Sequence, residues 1–174
     1  MNPKAITFFV LGAISAYSFA AFALVLSAKL GVLPVQADVA PTALETSLLG
    51  SALHASVARH GANEGNPMSP SEETLLSGAK TYQAMCSRCH GATRESDTSY
   101  GRSFYPPAPQ LPLTRSSYTD KEMFWIVKHG IRNTAMPAWG NLLSDENIWQ
   151  VVTLVKNFDS LPDSVSAELL HHHR

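Results

Sequence analysis

Two thiols three positions apart with a histidine directly after the second, Cys86-Ser87-Arg88-Cys89-His90, are the residues of this chain best equipped for chemistry. Three chemistries compete for such a segment. A structural zinc ion would need two further ligands at comparable spacing. Cys86 and Cys89 are the only cysteines, and the downstream His129 and His171-His172-His173 form no zinc pattern. A thioredoxin-like dithiol belongs in a strand–helix–strand context, which the flanking sequence lacks. A disulfide between the two would close only a tiny loop and staple nothing. Covalent haem attachment needs no further residues. Each thiol adds to one vinyl group of the porphyrin and the adjoining imidazole reaches the iron, so one short segment fixes the ring and supplies a ligand. The pentapeptide therefore predicts a single haem c held by Cys86 and Cys89, with His90 on the iron.

The other axial position decides what such an iron does. Met136 lies in Thr134-Ala135-Met136-Pro137, beyond the second helix predicted below, and the proline after it holds the loop extended. Met68 falls in a linker, Met85 adjoins Cys86, and Met123 belongs to a helix's apolar face. His129 is the rival ligand, although a histidine at a helix C-terminus also has an ordinary electrostatic reason to be there. With His90 and Met136 bound, the iron has no open position for a substrate, and methionine ligation raises its potential. That combination suits one-electron exchange and excludes oxygen activation or a small-molecule substrate. Arg102 and Arg115 are candidates to meet the haem propionates.

Elements must hold these residues in place. Ser69-Pro70-Ser71-Glu72 predicts a helix start, with Ser69 as cap, Pro70 at the first helical position and Glu72 completing a capping box. That helix carries Leu75, Leu76, Ala79, Tyr82 and Gln83 into the cysteines. Thr119-Asp120-Lys121-Glu122 opens a second, with Met123, Phe124, Ile126 and Val127, ending at Gly130. Ser144-Asp145-Glu146 opens a third, with Ile148, Trp149, Val152 and Val155 on one face. No stretch alternates with period two, so the fold class is all-α. Between the first two helices runs a proline-rich connection, Phe104 to Pro112, long for a small domain unless it wraps a prosthetic group.

Residues 69–161 resemble the class I c-type cytochromes, a small all-α fold of three to five helices around one haem. The resemblance rests on the pentapeptide closing the first helix, on Pro109-Gln110-Leu111, on the Met136 loop and on the last helix. It implies that a backbone carbonyl of the proline loop, Pro109 first among Pro106, Pro107 and Pro109, bonds the proximal His90. It also implies that the last helix crosses the first.

Upstream, residues 5–28 are uncharged and mostly apolar, and their 24 positions would span roughly 36 Å as a helix. Residues 1–37 are read as a transmembrane anchor, with a cleaved signal peptide ending at Val35-Gln36-Ala37 as the alternative. Residues 38–68 form a linker with a helix from Pro41-Thr42 to His60-Gly61. It is read as a spacer lifting the next domain off the bilayer; docking on the membrane or on a partner is the other reading. Residues 162–174 are read as a tail. Covalent haem attachment occurs outside the cytoplasm, which places the bulk of the chain on the periplasmic side of the cytoplasmic membrane. Acidic and basic residues nearly cancel, 14 against 13, so nucleic-acid binding is not indicated. The expected function is membrane-tethered, single-haem electron transfer between respiratory or photosynthetic redox partners. The alternative is a fixed subunit of a larger membrane complex, such as an oxidase, a quinol-oxidising complex or a reaction centre.

Overall fold

Asn2 caps the first helix by accepting from the Lys4 amide, and Pro3 at its first position suits a helix start. In the computed structural model, which describes residues 2–36, 39–61, 65–96 and 98–170, this helix α1 runs Pro3–Lys29. It has the length and composition to cross a bilayer and buries none of its residues. Ala37 of the cleavage-site reading, Ala62 to Glu64 of the linker and His171 to His173 lie outside the described residues. Residues up to Val39 form one compact unit and those from Ala40 onward a second.

The second unit contains α2 (Ala43–His60), α3 (Glu72–Met85), α4 (Ser87–His90), α5 (Ser99–Arg102), α6 (Asp120–His129), a 3-10 turn at Trp139–Asn141, α7 (Asp145–Lys156) and α8 (Asp163–Leu170). There is no strand among the described residues. Side-chain caps set the starts. Thr42 accepts from the Glu45 amide, Thr119 and Glu122 complete a reciprocal box, and Ser144 accepts from Asn147. One start differs from the sequence expectation: the cap of α3 is Ser71, not Ser69. Ser71 Oγ accepts from the Thr74 amide, which leaves Glu72 and Glu73 in the first turn against the helix dipole.

The core follows from one crossing. Leu75, Ala79 and Tyr82 of α3, with Cys86 just past its end, meet Val151 and Leu154 of α7 in the first hydrophobic cluster. At Gly78 the two backbones come close together; a Cβ there would stand 2.4 Å from the Gln150 carbonyl oxygen. A second cluster joins Met123, Phe124 and Val127 of α6 to Ile148, Trp149 and Val152 of α7, with the Phe124 and Trp149 rings stacked at 4.2 Å. The two clusters occupy different faces of α7, whose interior residues are consequently almost all buried.

Two segments outside the expected domain core pack against it. Residues 162–174, read as a tail, include α8, whose Val165 and Leu169 are buried in the first cluster against α3. Leu161, Val165 and Leu169 recur at four-residue spacing, and that apolar repeat is the sequence signal for it. The helix expected as a spacer, α2, lies along α6 and buries Val57 completely.

Candidate functional site

The end of α3 and the single turn α4 present Cys86, Cys89 and His90 to one cavity of about 380 Å³. Its lining is mostly apolar: Met123, Ile126 and Val127 of α6, Val151 and Val155 of α7, and Leu111 and the prolines of the long connection. Met136 lines the same cavity, so the structure gathers four of the five residues singled out from the sequence around one space. The fifth, Pro109, also lines it and accepts a 2.8 Å hydrogen bond from His90 Nδ1 through its carbonyl. That bond assigns the proton to Nδ1 and leaves Nε2 with a free lone pair. Burial lowers the His90 pKa below the usual imidazole range, against the pull of the Pro109 bond, so the ring stays neutral as a metal ligand must.

The turn carrying these groups is fixed from several sides. The His90 carbonyl accepts from the Leu111 amide at 3.1 Å. One residue on, Tyr82 Oη donates to the Gly91 carbonyl at 2.6 Å from a fully buried position in α3. On the outer side, Gly101 of α5 presses on the Cys89 backbone so closely that a Cβ would sit 2.0 Å from its carbonyl oxygen. The Arg88 guanidinium covers the Tyr100 ring at 4.3 Å. Sequence reading missed α5 altogether. Gly101 was its one signal, because a four-residue helix carries no periodicity.

Burial raises the Tyr82 phenol well above 10, with the Cys86 thiol beside it adding to the effect. A folded pKa above the unfolded one means that this stabilisation is complete below about pH 10 and is lost as pH rises beyond it. Tyr82→Phe is expected to cost about 1 kcal/mol near neutrality, through the lost bond to Gly91. It should also flatten the decline in stability above pH 10. Denaturant unfolding of both proteins at pH 8, 10 and 11 measures the two slopes, and parallel slopes would refute the assignment. Burial, and then Cys89 nearby, pushes the free Cys86 thiol up to about 12.

The Met136 loop is shaped by Gly130. Its φ of +67° is left-handed, and a Cβ would stand 2.7 Å from the Met136 carbonyl oxygen and 2.6 Å from the Pro137 carbonyl carbon. Ile131 N donates to the Met136 carbonyl and Met136 N to Thr134 Oγ1, closing a tight turn that places Met136 on the cavity lining. The rival ligand is placed elsewhere. His129 does not line the cavity, and its ring packs on Trp125 at 5.1 Å. Met68 and Met123 belong to the second hydrophobic cluster, and Met123 and Met85 also reach the cavity wall. Arg115 lines the cavity with Thr114, Ser116, Ser117 and Tyr118, the polar part of its rim, and its guanidinium holds Asp159 at 2.7 Å. Arg102 is not on the lining and donates to Thr98 Oγ1.

This donor set suits an iron porphyrin: an apolar slot, two free thiols at its edge, a neutral imidazole and a thioether. A metal-only site fits poorly, because the described residues include no group of three or more His, Cys, Asp or Glu that could hold an ion. Residues 73–155, just under half of the chain, match the family model described as cytochrome C oxidase, cbb3-type, subunit III. Neither the curated proteins nor the solved structures gave a match.

Proposed function

Since residues 73–155 are a c-type cytochrome domain, and so carry covalently bound haem c for electron transfer, we propose that the chain is a membrane-tethered, single-haem electron carrier. It would work on the periplasmic side between respiratory or photosynthetic redox partners. Cys86 and Cys89 would hold the porphyrin through thioethers, and His90 and Met136 would be the ligands to its iron. Haem c ligated in this way supplies one-electron exchange at an iron with no open position for a substrate. The protein's part is positional. Pro109 keeps the His90 imidazole in one tautomer and orientation, and the turn after Gly130 keeps Met136 on the cavity lining. The apolar walls from α6 and α7 exclude water. The observation that carries this reading is the convergence of Cys86, Cys89, His90 and Met136 on one cavity.

Helix α1 supports the tether by its length and composition. A tether of this kind keeps a carrier near its partners and raises effective concentration without tight binding. The intact mass of the protein extracted from membranes is the test. The expected value is the full chain plus one haem; a mass lacking residues 1–37 would remove the tether, and one lacking haem would remove the function.

A fixed subunit of a larger complex is the second reading. The matched family's description as an oxidase subunit favours it. So does the first half of α2, where Leu44, Leu48 and Leu49 are exposed. Extraction in mild detergent separates the two: co-purification at fixed stoichiometry supports the subunit and sinks the free carrier.

A further inference from the structure

Helix α2 lies outside residues 73–155, yet it packs on α6, a helix whose other residues line the cavity. Val57 is its one buried residue and has no exposed surface. One turn earlier, the His54 ring stacks on Tyr118 at 5.5 Å, with Nδ1 3.3 Å from the tyrosine hydroxyl. At the other end, His60 stacks on Trp125 at 6.1 Å with the rings 19° from parallel. Gly61 closes the helix so tightly against α6 that a Cβ would stand 3.2 Å from Glu122 Cγ.

The surfaces that α2 grips are the backs of the surfaces that form the cavity. Helix α6 sends Met123, Ile126 and Val127 into the lining, while Glu122 and Trp125 face α2. Tyr118 does both at once. It lines the cavity, takes His54 on its ring, and is pinned by Lys156 Nζ at 2.6 Å through its carbonyl. Helix α6 then ends at Gly130, whose backbone is in contact with Met136 and Pro137. A rotation of α6 would therefore carry the Met136 loop with it.

We propose that α2 is a positioning element for the iron site, seating α6 and Tyr118 through Val57, His54 and His60 and thereby holding the loop that presents Met136. This rests on the assignment of Met136 as an axial ligand. The arm leading from the apolar helix to the cytochrome domain is then part of the site's scaffold, and whatever engages its exposed leucines acts on the iron's coordination.

The test uses the full haem-loaded chain. Val57→Asn places a polar group at the buried contact, and Val57→Ile keeps that contact apolar. His54→Ala/His60→Ala removes both ring contacts from exposed positions and leaves the core untouched, so it folds even if Val57→Asn does not. The readouts are the near-infrared absorption band of methionine-bound ferric haem and carbon monoxide binding by the reduced protein. Val57→Asn is expected to lose at least half of the band and to bind carbon monoxide at least tenfold more readily. The double variant should shift partway, and Val57→Ile should match the wild type. A wild-type band and wild-type resistance to carbon monoxide in both disruptive variants would overturn the inference alone. Absence of the band from the wild type would overturn the ligand assignment and the inference together.

Discussion

Met136→Ala is expected to leave the haem covalently attached while opening the iron to carbon monoxide. Cys86, Cys89 and the Pro109-bonded His90 come from other lining segments and are untouched by the change. Alanine has no sulfur to offer, and His129, engaged with Trp125, does not line the cavity. The near-infrared band should vanish, and the reduced protein should bind carbon monoxide where the wild type does not. The potential should fall on the order of 0.1 V, within the span of roughly 0.8 V that axial ligands command. Visible and near-infrared spectra with a carbon monoxide titration measure all of this. An unchanged spectrum would move the sixth position to another side chain, and His129 would be the first to replace.

Gly78→Val should unfold the domain at a far lower temperature. The new Cβ would lie 2.4 Å from the Gln150 carbonyl oxygen, 2.8 Å from its carbon and 3.2 Å from Leu154 Cβ. Two of those atoms are helix backbone and cannot turn aside, so α3 and α7 must separate along the contact that holds Leu75, Tyr82, Val151 and Leu154. Overpacking of this kind costs about 3 kcal/mol or more, against a helix-propensity gain of less than about 1 kcal/mol. For a domain of this size the melting temperature should drop by on the order of 10 °C or more. Gly50→Ala is the control. Gly50 sits in α2 with nothing near its would-be Cβ, so alanine should be neutral or stabilising there. Thermal unfolding followed by circular dichroism compares the two, and equal melting temperatures would refute the crossing argument.

The parts of this fold readable in the sequence are those with a local physical signature. Thr42, Thr119 and Ser144 announce helix starts because a cap is made by a side chain within three residues of its target. Cys86, Cys89 and His90 are legible because one turn of helix fixes their relation. Met136 was legible for a different reason, through its place beyond α6 and before Pro137. What sequence does not display is which surfaces meet. Gly78 reads as a weak spot in a helix until Gln150, 72 positions later, is found against it. Val57 reads as one apolar residue in a spacer, and its complete burial shows only once α2 is found packed on α6. The exchange of Ser69 for Ser71 as a cap is the smaller kind of error, two serines flanking one proline with only the Thr74 amide to decide between them.

The packing of α8 on α3 has one more consequence. Ser164 Oγ, at the start of the last helix, bonds Glu72 Oε1, at the start of the first helix of the cytochrome domain, at 2.5 Å. The start of α8 is thus tied to the start of α3. Truncation before Asp163 would therefore strip Val165 and Leu169 from the first cluster and lay bare one side of α3. The last helix of the described residues is in this sense a part of the core that the domain's own haem-binding segment leans on, since Tyr82 and Cys86 belong to the same cluster.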